Sequence, residues 1–112
     1  MKDDRLYVSH MLECIEKIEA YTAPGYAAYA EDTMMQDAVM RNLEIMGEAA
    51  KQVSSVTREQ FPDVPWRRIA GLGDVLIHDY MGVDIDEVWN VIVNHLPDLK
   101  GQLHAVRDHG GN

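Results

Sequence analysis

His78 and Tyr80 stand two residues apart in the run Gly73-Asp74-Val75-Leu76-Ile77-His78-Asp79-Tyr80, which ends on a Met81-Gly82-Val83 turn. No other stretch places so many titratable groups at one end of an amphipathic helix. An imidazole titrates near pH 6.5, so His78 could accept a proton in one step of a reaction and return it in the next. Asp74 and Asp79 flank it, either orienting the ring and raising its pKa or standing as solvated carboxylates at a helix end. A single histidine in such a place is more often a polar cap or packing residue, and a tyrosine there more often sits at a core edge. His10, His95, His104 and His109 show no ligand spacing, so no metal site is expected. Cys14 is the one cysteine, which gives neither a disulfide framework nor a thiolate site and reads as a small buried apolar residue.

The elements that must position these residues read as helices. Tyr7, Met11, Cys14, Ile18 and Tyr21 recur at steps of four and three, one apolar stripe that Pro24-Gly25 ends. Thr33 with Gln36 has a capping-box spacing and opens a helix to about Ser54, with Met35, Val39, Leu43, Met46, Ala50 and Val53 on one face. Thr57 with Gln60 repeats the spacing and predicts a short helical turn before Pro62 and Pro65. A third helix starts near Trp66, with Pro65 suited to its first turn. The last starts near Asp84, with Glu87 three residues on, and carries Val88, Ile92, Leu96, Leu99, Leu103 and Val106; Pro97 should kink it near Val93 or Asn94. No stretch alternates with period two, no hairpin turn occurs and no repeat is visible. The expected fold is all-α: an up-and-down bundle of four main helices plus a short helical turn, one domain over residues 1–107 with a frayed tail at 108–112. Wide apolar stripes and seven methionines predict a two-fold homodimer.

A chain of 112 residues with 46% apolar composition makes one globular domain. No apolar run approaches the roughly 20 residues that span a bilayer. The start, Met1-Lys2-Asp3-Asp4-Arg5, reads directly into a charged helix with no visible signal peptide, so no membrane association and a cytoplasmic location are expected. The net charge of −9 argues against indiscriminate binding to nucleic acid. It leaves room for a local basic patch, for which the adjacent Arg67 and Arg68, with Arg41, Lys51 and Arg58, are the candidates; otherwise they are scattered surface cations.

Three stretches carry a resemblance that covers nearly the whole chain: Arg41-Asn42-Leu43-Glu44-Ile45-Met46-Gly47-Glu48-Ala49-Ala50-Lys51; Pro65-Trp66-Arg67-Arg68-Ile69-Ala70-Gly71-Leu72 running into Asp74 through Tyr80; and Val83-Asp84 through Val88-Trp89 to Leu96-Pro97. In this order and spacing the chain resembles the HEPN superfamily, and within it the HepT-like toxins that pair with MNT-type minimal nucleotidyltransferases. The resemblance implies a toxin that is a metal-independent RNA endonuclease with no cofactor. It implies a homodimer whose active site forms where the Arg-x4-His motifs of both subunits meet, with His78 as the motif histidine. It also implies a nucleotidyltransferase antitoxin that silences the toxin by transferring AMP to the tyrosine two residues after the histidine, here Tyr80. Arg41, Asn42, Glu48 and Arg68, like Asp74 and Asp79, would support the cleft; helix salt bridges are the plainer account of Arg41, Glu44 and Glu48.

Cleavage without a metal uses the 2′-hydroxyl of the RNA as nucleophile, so a base must take its proton and an acid must protonate the leaving 5′-oxygen. Two copies of His78 across a two-fold axis supply both. The phosphorane between them needs a guanidinium, and the motif arginine would provide it. Position 73, where that arginine is expected, is Gly73, which can hold no phosphate. Three readings stay open: an inactivated variant of an active ribonuclease, a naturally silent relative, or a site in which Arg67 or Arg68 supplies the guanidinium. A second function class stays open beside them, a non-enzymatic helical module that dimerises and docks to a nucleotidyltransferase.

Overall fold

The computed structural model describes residues 2–78 and 84–110, with side chains over 3–72 and 84–109. Helix α1, Lys2–Thr22, carries Asp3 and Asp4 in its first turn, where carboxylates oppose the partial positive charge of the helix start. Val8, Met11, Leu12, Ile15 and Ile18 are its fully buried face. Of the predicted stripe Met11, Cys14 and Ile18 are buried, while Tyr21 is 39% exposed and Tyr7 only half-buried, and Val8, Leu12 and Ile15 are buried beside it. The reason is that α1 packs against two helices, one on each side, so its buried arc widens past a single row of side chains.

Gly25 adopts φ +103°, a backbone conformation that a side chain would oppose, and turns the chain into α2, Tyr26–Glu31. This helix was not expected, because six residues carry too little periodicity to read. The first residue outside α3, Thr33–Gln52, is Asp32, and its side chain accepts the Met35 amide at 3.1 Å. Asp32, and not Thr33, is thus the cap. Gln36 reaches back instead of closing a box, donating to the carbonyls of Tyr29 and Ala30 at 2.9 and 3.2 Å and so satisfying the end of α2. Replacing Asp32 by Ala should cost about 1 kcal/mol in a urea titration, the usual worth of such a cap.

Helix α3 is the central element, with α1 on one flank and α5 on the other. Val39, Leu43, Met46 and Ala50 are buried along it, as the spacing predicts. Helix α4, Ser55–Gln60, is capped by Ser54, three residues ahead of the predicted Thr57, whose own hydroxyl is buried and donates to Asp4. Helix α5, Trp66–His78, starts where Pro65 places it; Trp66 is buried and its indole donates to the Phe61 carbonyl at 3.0 Å.

Asp84 caps α6, Ile85–Asn94, through the Asp86 amide. Pro97 does not kink one long helix; the chain breaks at His95 and restarts as α7, Leu96–Gly110. Pro97 then lies in the first turn of α7, where its missing N–H has no intrahelical partner to lose. The predicted stripe survives the break, since Val88, Ile92, Leu96, Leu99, Leu103 and Val106 are all buried. Asp108 and His109 belong to α7, and the His109 ring packs edge-on against Phe61 with centroids 5.3 Å apart. The described residues form an all-α assembly of seven helices, the expected bundle with α2 added and the last helix divided.

Candidate functional site

Helix α5 holds the residues of interest. Its backbone is helical from Trp66 to His78, so Gly73, Asp74 and His78 lie on one helix. The side chains at 73 to 78, and Asp79 and Tyr80 altogether, lie outside the described residues. At about 100° per residue, position 73 falls about 20° from buried Trp66 and about 40° from buried Ile69, while position 78 falls about 20° from exposed Arg67. Positions 73 and 78 are thus about 140° apart around the axis.

On α3, Arg41 is exposed and pairs with Glu44 at 3.1 Å, and Glu48 pairs with Lys51 at 3.3 Å. Asn42 is buried and its amide donates to the Ala38 carbonyl at 2.9 Å. Local pairing therefore accounts for much of what these three residues do, as helix neighbours at this spacing commonly do. Arg67 and Arg68 are exposed, and neither has an ion pair among the described residues. Arg68 borders a groove of about 360 Å³ between α5 and the α6–α7 junction, with Ile69, Leu72, Leu96 and Leu99 as its apolar lining and His95 and Asp98 among its polar residues.

Sequence reasoning missed an aromatic cluster beside the start of α6. Tyr29 and Trp89 have centroids 5.0 Å apart, and Tyr26 sits 5.5 Å edge-on from Trp89. The Tyr29 hydroxyl donates to the Ile85 carbonyl at 2.7 Å and the Tyr26 hydroxyl donates to the Asp86 carboxylate. This cluster pins the first turn of α6, the element that follows the His78–Tyr80 segment in the chain. Its partners are nearly sixty residues apart, so only the aromatic residues themselves could have hinted at it. Burial, with the nearby Asp86 carboxylate next, pushes the Tyr29 phenol up to about 12. The hydrogen bond to Asp86 raises Tyr26 as well. A raised phenol means stability that is complete below the unfolded value near 10 and is lost as pH rises toward 12. Urea midpoints should fall across that window, and the fall should be shallower in Tyr29→Phe, which also loses about 1 kcal/mol for its hydrogen bond at neutral pH.

Among the described residues no three His, Cys, Asp or Glu side chains converge as a metal site, and no helix is long and apolar enough to cross a membrane. Cys14 is buried, and that burial raises its thiol pKa, which suits a packing role better than a reactive one.

The described residues thus define a small all-α helical domain. The ribonuclease HepT-like family model matches residues 11–106, and the chain belongs to that family. A Methanocaldococcus jannaschii protein named as a gamma-glutamylcyclotransferase and candidate RNase is 39% identical over 108 residues, covering 96% of this chain and 49% of its own length. This chain therefore spans about half of that relative. A probable ribonuclease HepT of Thermococcus cleftensis is 37% identical over 102 residues, covering 90% of this chain and 93% of its own. The mRNA nuclease HepT of Shewanella oneidensis is 21% identical over 124 aligned residues, covering 89% and 92%. No solved structure matches the chain.

Proposed function

We propose that this chain is the toxin of a toxin–antitoxin pair, a metal-independent RNA endonuclease of the Arg-x4-His type whose activity is lost because position 73 is Gly73. Membership of the HepT-like ribonuclease family carries the reading, with the helical placement of His78 in support. In a homodimer, one His78 imidazole takes the proton of the RNA 2′-hydroxyl, and the 2′-oxygen attacks phosphorus. The bond to the 5′-oxygen breaks, and the second His78, protonated, gives that oxygen its proton. The products are a 2′,3′-cyclic phosphate and a free 5′-hydroxyl. Asp74 and Asp79 orient and charge the imidazole, and Arg41, Asn42 and Glu48 support the wall of the cleft. Without an arginine at 73, the charge on the phosphorane has no guanidinium to meet it.

A nucleotidyltransferase antitoxin of the MNT type silences the site. The Tyr80 hydroxyl gives up its proton to a base of the nucleotidyltransferase as its oxygen attacks the α-phosphorus of ATP, pyrophosphate leaves, and the bulky anionic AMP on Tyr80 excludes RNA by charge and volume. No metal, cofactor or membrane enters the cleavage step, and both proteins act in the cytoplasm. The glycine favours one other reading, a non-enzymatic dimerisation and docking module for the nucleotidyltransferase. The test is RNA cleavage in EDTA by this chain, by Gly73→Arg, and by Gly73→Arg with His78→Ala. Cleavage by the middle form alone supports the ribonuclease; no cleavage by any form favours the docking module.

A further inference from the structure

The two exposed arginines of α5 point to a path for the substrate. We infer that Arg67 and Arg68 hold backbone phosphates of a single-stranded RNA a few nucleotides from the bond that is cut, so that the strand follows the exposed face of α5. This rests on the ribonuclease reading and extends it to residues outside the Arg-x4-His motif.

Four observations carry it. First, eleven residues separate Arg67 from position 78, which on a helix is about 20° around the axis and about 16 Å along it. One strand can therefore meet both without crossing the helix. Second, acids outnumber Lys and Arg by 19 to 10 in the chain, and Arg41, Lys51, Lys100 and Arg107 each pair with a carboxylate. Arg67 and Arg68 do not, among the described residues, so their guanidinium forks are open to the bidentate contact that phosphate offers. Third, Gly71 lies about 40° from Arg67 and about 20° from position 78, and a Cβ added there would meet nothing within 4 Å. The face is low and open midway along the path. Fourth, Arg68 stands at the edge of the groove between α5 and the α6–α7 junction, where Asp63 and Asp98 also line the wall. Those carboxylates repel a phosphate inside the groove and leave the strand on the outer face, against Arg67. Asp74 is the one acidic position on that face, against two guanidinium groups.

The experiment measures binding of a fluorescein-labelled single-stranded RNA by anisotropy across a salt series, using this chain and its Arg67→Ala, Arg68→Ala and double variants, with Lys17→Ala of α1 as control. Each arginine should lower the slope of log affinity against log salt by about 0.7 and the double variant by about 1.4, because each releases one phosphate contact on a single strand. Lys17→Ala should leave it unchanged. In the Gly73→Arg background, Arg67→Ala should raise KM for the long RNA and leave a dinucleotide substrate unaffected. If the salt slopes of the arginine variants equal that of Lys17→Ala while Gly73→Arg still cuts RNA, the path is wrong and the ribonuclease reading stands. If the arginines matter for binding the nucleotidyltransferase and not RNA, the path is equally overturned. If no form binds or cuts RNA, both readings fall.

Discussion

Gly73→Arg should turn this chain into a ribonuclease that works in EDTA, with a gain in rate of at least about 10²- to 10³-fold, the usual loss when one group that meets transition-state charge is removed. Position 73 falls on the side of α5 that carries buried Trp66 and Ile69, so an arginine there grows from the packed side of the helix. Replacing a helical glycine also removes up to about 1 kcal/mol of helix penalty. The activity should depend on His78, and because one imidazole must be neutral and its partner charged, its pH profile should be bell-shaped. Activity that survives His78→Ala would assign the cleavage to another group or to a contaminant. The natural counterpart of the experiment is growth arrest on expression of Gly73→Arg, relieved by the nucleotidyltransferase only while Tyr80 is present.

The second large effect is structural. Asp4, 5% exposed near the start of α1, accepts the Ser54 amide at 2.8 Å and the hydroxyls of Ser54 and Thr57 at 2.5 Å each. One carboxylate thus joins the first turn of α1 to the N-terminus of α4, fifty residues away. Asp4→Ala leaves the Thr57 hydroxyl buried without its acceptor and removes the charge opposite the start of α4. The expected cost is about 3 kcal/mol, since hydrogen bonds to a charged group are worth about 1.5–3 each and are not additive. Thermal midpoints should drop by roughly 12 °C for a domain of this size. Burial alone would raise the Asp4 pKa, but the hydrogen bonds from Ser54 and Thr57 outweigh it and hold the carboxyl below 3.8. That contribution is therefore complete above the unfolded value of 3.8 and is lost as pH falls through the lower folded value. The gap between parent and Asp4→Asn should be constant from neutral pH to about 4 and close in stronger acid. A gap that stays the same down to the lowest pH would show that the carboxylate charge plays no part.

Much of the fold was legible without coordinates, for a physical reason: helices are local. Periodicity of three and four marks the buried faces of α3, α6 and α7, and Asp84 and Pro65 mark starts through hydrogen bonds or missing amides within a few residues. The apolar stripe from Val88 to Val106 was right even where the helix count was wrong, because burial follows side-chain spacing and does not need an unbroken backbone. The two misplaced caps show the limit. Asp32 and Thr33 are both good capping residues, as are Ser54 and Thr57, and spacing alone cannot choose between neighbours that can each serve. The structure chose Asp32 and Ser54, and it places both the Ser54 and Thr57 hydroxyls against Asp4 from across the bundle.

The site divides along the same line. Its proposed chemistry rests on residue types: an imidazole at 78, a phenol at 80, and a glycine where the motif has an arginine. The backbone of α5 carries Gly73, Asp74 and His78 on one helix, and side-chain placement at 73–80 lies outside the described residues. What only tertiary structure decided is which neighbours those positions have. Packing of α5 against α3 sets which of its faces is buried, and so leaves Arg67 and Arg68 exposed. The Tyr26–Tyr29–Trp89 cluster and the Asp4 staple join residues fifty or more positions apart. No local pattern encodes such pairings, because they exist only once distant helices have paid the entropy of coming together.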